Sequence, residues 1–464
     1  MLLAAAGSET PSLFWIWPFV TLLLAIAILP LIHRTEHWWH QNRNKLAVAL
    51  VLGLITLAYY HQRGFGVTHG GHTTEPGWST IGSVLQHAIV DEYIPFIVLL
   101  LSLYTISGGI VVRGDIRATP AINTGILAFG GLIASFIGTT GASMVLIRPL
   151  LNTNKERKCV VHTVVFFIFI VSNIGGSLLP IGDPPLFIGY LRGVPFLWTL
   201  RLWVEWATLL VILLAVYYVW DRWAYNREEK VDLARDNADI QPLRVAGLIN
   251  VPYLVGVILA VAFLVPGKEL DLGFLKFTPP EHMREGVQIA LMALSMLTTP
   301  RGLRRENDFN FGAINEVACL FIGIFVTMQV PIEILHANGH TFAEKGFIHP
   351  WQYFWATGVL SSFLDNAPTY VVFFETANQL TREPGEGIIK LVTGELIRED
   401  LLVAISCGAV FMGAMSYIGN GPNFMVKSIA EQSGVKMPSF FGFMAYSVAI
   451  LVPLFVLLTF MFFV

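Results

Sequence analysis

An all-α polytopic membrane protein is the fold class this chain predicts, and three observations predict it. Apolar runs of roughly 17 to 25 residues recur along the chain, the length a helix needs to cross a bilayer. Only 13% of the residues are charged, where soluble domains carry about 25%. Two pairs of similar helix-breaking strings recur in the same order in both halves. The class therefore narrows to two inverted repeats of about five transmembrane helices plus one re-entrant hairpin each.

Composition also excludes several classes. A large soluble domain has nowhere to sit. A net charge of −3 with no long basic run implies no nucleic-acid partner. Cys159, Cys319 and Cys407 are isolated from one another, so they predict neither a metal centre nor a disulfide framework. No cofactor is expected, and membrane lipid is the expected surrounding. The N-terminus lacks a basic leader region, so the first span is expected to be retained.

The first span is predicted over 14–32 and the second over 46–60. A polar loop (61–78) follows, then an amphipathic lead-in (81–92) and a third span (93–112). From 118 to 151 the chain is apolar but interrupted at G-T-T-G-A-S, Gly138 to Ser143. That leaves arms of about 20 and 8 residues, too short to cross separately. Arg113 and Arg117 precede this segment, and Lys155, Arg157 and Lys158 follow it. With both flanks cytoplasmic by the positive-inside rule, it enters and returns as a re-entrant hairpin. A broken helix over 160–191 and a fifth span over 196–220 complete the N-terminal repeat, 1–223. A mixed-charge cytoplasmic linker spans 224–244.

The second half, 245–464, repeats the pattern. Spans are predicted at 245–265, 285–297 and 313–334, a second hairpin at 351–381 broken at L-D-N-A-P, a broken helix at 401–430, and a last span at 440–464. Both termini then lie outside. Eighteen of the 29 Lys and Arg residues fall in loops placed inside and ten in segments placed outside. Five spans per half is an odd number, so the halves run upside down relative to each other. The repeat is visible in the letters: G-L-I-A-S-F-I-G from Gly131 matches G-V-L-S-S-F-L-D from Gly358, and I-G-D-P-P-L-F from Ile181 matches I-G-N-G-P-N-F from Ile418.

Broken segments at corresponding places in two inverted halves are where a secondary transporter builds its binding site. The stretch from Asn173 to Phe196 is the clearest case. Glycines, prolines and an aspartate end an apolar run there, and freed backbone groups and a carboxylate are both costly in hydrocarbon. A bound cation or proton at Asp183 would offset that cost. The hairpin tips add Thr139, Thr140 and Ser143 on one side and Asp365, Asn366 and Thr369 on the other. The broken helices add Asn173 and Ser177, then Ser416, Asn420 and Asn423. All carry side-chain oxygen, as hard cations prefer. Asp183 and Asp365 are the carboxylates inside the breaks and the candidate Na+ ligands. Burial favours a protonated carboxylate and a bound cation an ionised one, so Na+ and H+ would compete for one site. Each aspartate can equally be read as a helix cap or turn residue.

Other polar residues carry plainer readings. Arg148 is read as reaching the cytoplasmic surface, or as neutralising an anionic substrate. Glu205 reads as a helix pair with Arg201. Glu316 and Glu375 read as charged positions on helices or as parts of a proton path. His69 and His72 read as an exposed loop, and His162 as structural.

At these strings the chain resembles the ion transporter superfamily, and within it the citrate-transporter-like proteins labelled sodium:proton antiporters. The residues that carry the resemblance are G-T-T-G-A-S-M-V-L-I-R-P-L-L, S-N-I-G-G-S-L-L-P-I-G-D-P-P-L-F and S-S-F-L-D-N-A-P-T. A Ser-rich tip followed by D-N-x-P is similar to the NhaD-type antiporters. The resemblance implies a plasma-membrane (bacterial inner membrane) secondary transporter, homodimeric, with a scaffold and a moving transport region. It implicates Thr139, Thr140, Asp183, Asp365, Asn366 and Asn420 as lining the site. The carboxylate-transporting branch carries Ser-Asn-Thr at both tips, whereas here the tips read G-T-T-G and D-N-A-P. An aspartate there repels a polyanion, so a sodium:proton antiporter is the expectation and a citrate or other oxyanion symporter the alternative.

Overall fold

Apolar runs and the breaks in them account for most of the elements. The computed structural model describes residues 10–69, 72–232, 236, 240–271, 276–338, 346–381 and 384–464. Among the described residues, seven helices are long and apolar enough to cross a membrane: Leu13–Leu31, Asn42–Gln62, Trp78–Ser107, Pro120–Ile137, Phe196–Tyr225, Gly312–Asn338 and Phe440–Phe463. The sheet among them is confined to four two-stranded ribbons. The chain is a multi-pass membrane protein. Large apolar side chains that face outward, Leu54 and Val211 each 63% exposed, form the kind of continuous apolar surface that lipid covers.

The same sequence of elements appears twice. After the first three spans come a helical hairpin (Pro120–Ile137 and Thr139–Thr153), a broken helix (Val161–Ile170 and Pro184–Leu191) and the long helix ending at Tyr225. From Asn250–Phe263 onward the order is repeated: Met283–Thr298, Gly312–Asn338, a hairpin (Pro350–Phe363 and Asn366–Gln379), a broken helix (Glu399–Met412 and Gly421–Gln432), and Phe440–Phe463. Asn250–Phe263 has 14 residues, about 21 Å of helix, so it is short for a bilayer core of about 30 Å.

The hairpins return to where they started. In the first, the side-chain amides of Asn123 and Asn154 exchange hydrogen bonds of 2.8 and 2.9 Å, tying the entrance of one arm to the exit of the other. The two broken helices are the centre of the core. Every side chain from 164 to 171 is 1% exposed or less, as a helix apolar on all faces requires. The breaks also share a backbone crossing. A Cβ on Gly182 would lie 2.2 Å from the Gly176 carbonyl oxygen, and one on Gly419 would lie 2.6 Å from that of Gly413. Only glycine permits either approach. The hairpins also pack crosswise, Thr139–Thr153 on Gly421–Gln432 and Asn366–Gln379 on Pro184–Leu191.

Three expected boundaries are corrected. The lead-in at 81–92 and the third span form one helix that ends at Ser107 rather than 112. Its π-helical turn, Gln86–Tyr93, comes just before Pro95, and a wide turn there accommodates the missing N–H and the ring. Residues Val111–Asp115 instead form a strand paired with Gln241–Ala246. That ribbon takes up the end of the expected linker, and the next helix starts at Asn250 rather than 245. Finally, the second arm of the first hairpin has 15 residues, not about 8. Gly138, with φ +78°, turns the chain by itself, and the helix resumes at Thr139.

Candidate functional site

Four helices begin around one carboxylate. Asp183 is the N-cap residue of Pro184–Leu191, and Asn420 is the N-cap residue of Gly421–Gln432. Thr139 and Asn366 are the first residues of the second arms of the two hairpins. Asp183 and Asn420 share an extended backbone, φ −144° and ψ 144° against φ −153° and ψ 141°. A proline in the first turn of each following helix suits that entry. The Thr139 backbone N–H donates to the Gly182 carbonyl at 2.8 Å, which docks the first tip on the break.

The Asp183 side chain, 2% exposed, accepts three hydrogen bonds. The Thr139 hydroxyl donates to Oδ1 at 2.9 Å, and the Asn420 amide donates to the same oxygen at 2.9 Å. The Asn366 amide donates to Oδ2 at 2.6 Å. A carboxylate has about four acceptor positions, so roughly one remains. Asn366 Oδ1, beside it, is buried and has no hydrogen-bond partner. Oxygen is therefore on offer from two adjacent side chains, and among the described residues no Lys, Arg or His bonds to Asp183.

Behind this first ring, amides run across the interface of the halves. Asn420 Nδ2 also reaches Asn173 Oδ1 at 3.2 Å, and Asn173 Nδ2 donates to Asn423 Oδ1 at 2.7 Å. Asn423 Nδ2 in turn donates to the carbonyls of Gly413 and Ser416, at 2.9 and 2.8 Å, closing the second break. Ser143 and Ser172 hydroxyls lie 2.9 Å apart and join the first hairpin to the first broken helix.

The remaining sequence candidates sit differently. Asp365 and Asp183 do not bond to each other. Asp365 is partly buried and caps its own helix, accepting from the Ala367 N–H at 3.1 Å, while its neighbour Asn366 makes the contact. Both aspartates are N-cap residues, but Asp365 is followed by free N–H groups that its side chain can cap, whereas Pro184 and Pro185 after Asp183 offer none. Thr369 donates to the Asp365 carbonyl and Ser177 to that of Ile174, so both hydroxyls serve local turns. Ser416 donates to the Ser362 carbonyl at 2.5 Å. Thr140 is partly exposed and makes no side-chain hydrogen bond among the described residues.

Arg148 pairs with Asp308 at 3.2 Å, nine residues and about 13 Å of helix from Thr139. Glu205 is not paired with Arg201, which lies 3.8 Å from Glu399; Glu205 Oε2 is buried without a partner. Glu316 pairs with Lys45 at 2.6 Å and His162 with Asp221 at 2.8 Å. His69 and His72 face each other in a short ribbon, and their side chains lie outside the described residues.

One cluster was not anticipated. Arg192, just past the end of Pro184–Leu191, is ion-paired with both Glu92 (2.6 Å) and Glu375. His336 contacts the other oxygen of Glu375 at 2.6 Å, and the Gln329 amide donates to Glu92 at 3.2 Å. Each of these residues stands near the end of an apolar run, where a charge reads as an interface residue.

The geometry of broken helices, hairpin tips and a buried polar centre is that of a transporter, and one comparison agrees. A family model described as "Putative citrate transport" matches residues 8–463, nearly the whole chain. The chain belongs to that family. No curated protein matches it. The family and the spans together make it a multi-pass membrane transporter, similar over both halves to the citrate-transport proteins the model describes.

Proposed function

We propose that this transporter is a secondary active sodium:proton antiporter of the plasma membrane, in which Asp183 carries either Na+ or H+ at the meeting point of the two halves. The observation that carries the reading is the environment of Asp183: a buried carboxylate bonded to three neutral side chains from three separate elements. A charge in hydrocarbon surroundings needs neutralising, and among the described residues no fixed cation bonds to this one. A proton or a mobile cation is left to do so. Asn366 Oδ1 supplies a second oxygen, which suits a hard monovalent ion.

The repeated element order and the crosswise packing support inverted halves with both termini outside, the arrangement used for alternating access. On this reading the hairpins and broken helices move against a scaffold formed by the remaining spans, in a homodimer.

One observation favours citrate or another oxyanion as cargo. Four helix N-termini converge, and such ends attract anions. In this protein, however, the Asp183 carboxylate already occupies that position, and Arg148 is engaged elsewhere. The two readings separate in proteoliposomes carrying a pH-sensitive dye, to which Na+, K+ or citrate is added separately. Na+ is expected to move protons, with its half-saturating concentration rising about tenfold per pH unit on the acid side as H+ displaces it. Proton movement on citrate addition, with none on Na+, would overturn the antiporter reading.

A further inference from the structure

At the far end of the first hairpin from its tip lies a cavity of about 550 Å³, within the roughly 300–1,000 Å³ of small-ligand sites. Its walls are the last turn of Thr139–Thr153, the loop that follows, and the turn after Gly421–Gln432. Five cations line it: Arg148, Lys155, Arg157, Lys158 and Lys436. No Asp or Glu does.

The acids stand behind the wall. Arg148 is backed by Asp308 (3.2 Å), Lys155 by Asp115 (2.6 Å), Arg157 by Asp221 (2.6 Å) and Lys158 by Glu229 (2.5 Å). Those pairs hold the four cations in place, so that the charged groups lining the cavity among the described residues are all positive. Lys436 has no ion pair among the described residues. Arg157 is 5% exposed, and its Nε–H makes no hydrogen bond, with Glu228 3.7 Å away. Arg157 therefore stands behind the wall, its guanidinium donating to both oxygens of Asp221 at 2.6 and 3.1 Å and its Nε facing Glu228.

The walls are also rigid. Asn154 is fixed by its amide exchange with Asn123. The turn bearing Lys436 is closed by a helix cap, with Gly434 at φ +90° and the Val435 N–H donating to the Ala430 carbonyl at 3.0 Å.

We propose that this cavity binds a phosphate-bearing anion, with Lys436 and Lys158 as its principal contacts. Lysine ammonium groups bind phosphate oxygens as point charges. The phosphate has two possible sources. Basic pockets beside membrane helices on the side assigned here to the cytoplasm take anionic phospholipid headgroups, and free phosphate offers the same oxygens. Because the walls belong to a hairpin and a broken helix that also meet at Asp183, an occupied cavity would join their other ends. The binding itself is independent of which ion is transported.

Purified full-length protein tests this in two arms. One titrates inorganic phosphate calorimetrically at low salt. The other counts phospholipids retained in native mass spectrometry after reconstitution with phosphatidylglycerol or phosphatidylcholine. Binding in the first arm alone identifies free phosphate, and selective retention of phosphatidylglycerol identifies a headgroup. In whichever arm binds, Lys436→Gln is expected to weaken binding about fivefold and Lys436→Glu further. Lys436 is exposed and unpaired, so both variants should fold, and gel filtration checks that they do. Wild-type protein that binds in neither arm, or two folded variants that bind as tightly as wild type, would overturn the proposal.

Discussion

Two helices that pack together, Pro184–Leu191 and Asn366–Gln379, carry buried charge at both ends, and the ends are built differently. Asp183 and Asn366 meet at one end; nine residues along each, Arg192 and Glu375 meet at the other, about 13 Å away. At the second end every charge has a charged partner: Arg192 lies between two glutamates, and His336 adds a contact to one of them. At the first end the acid has only neutral donors among the described residues. A carboxylate paired with guanidinium is fixed, because removing either partner strands a buried charge. A carboxylate among hydroxyl and amide groups keeps its place yet leaves its charge to be met by something mobile. On the proposed function, the same pair of helices holds a permanent clamp and an exchangeable site.

The largest effect should come from Asp183→Asn. It removes the unmatched charge, so Na+-driven proton movement in everted vesicles is expected to fall to the background of empty vesicles while the yield of folded protein is kept. Exchange at the wild-type rate would erase the distinction between the two ends. Next, Arg192→Leu strands Glu92 and Glu375 and should lower unfolding stability by about 3–5 kcal/mol, measured by denaturant titration in detergent. The protein that remains folded should keep its half-saturating Na+ concentration. A shift in that concentration without loss of stability would mean the clamp belongs to the ion site. The smallest effect is expected of Asp365→Asn. Asn caps a helix about as well as Asp, and the bond to Ala367 is the only one Asp365's carboxylate makes among the described residues. Exchange should persist there, in contrast to Asp183→Asn; its complete loss would restore the two aspartates to equal standing.

Most of the candidate site was legible as a set of residues. Thr139, Asp183, Asn366 and Asn420 are oxygen-bearing residues inside breaks of apolar runs, and the structure brings these four together. Pairing was less legible. Asp365 reads like Asp183 because both are acids at broken segments, yet the free N–H of Ala367 draws its side chain back on its own helix, while the prolines after Asp183 leave that side chain to other elements. The length of the second hairpin arm was misread because G-T-T-G-A-S contains several residues that disfavour helix, while only Gly138 takes a non-helical φ. Glu92 and Arg192 gave no signal, since each stands beside an apolar run, where one charge is ordinary, and Gln329 and His336 are single polar residues that no motif marks.

The sequence by itself determined what depends on local chemistry. Hydropathy, run length and helix-breaking residues determined a multi-pass helical class, two broken helices and two hairpins, because those properties act over one helix at a time. Which acid is clamped and which is left open was decided only by tertiary structure. The donors to Asp183 lie 44, 183 and 237 residues away in the chain, and those to Glu92 and Glu375 come from equally distant helices. Whether a buried charge meets a guanidinium or an amide is a property of how helices pack, which no single segment encodes.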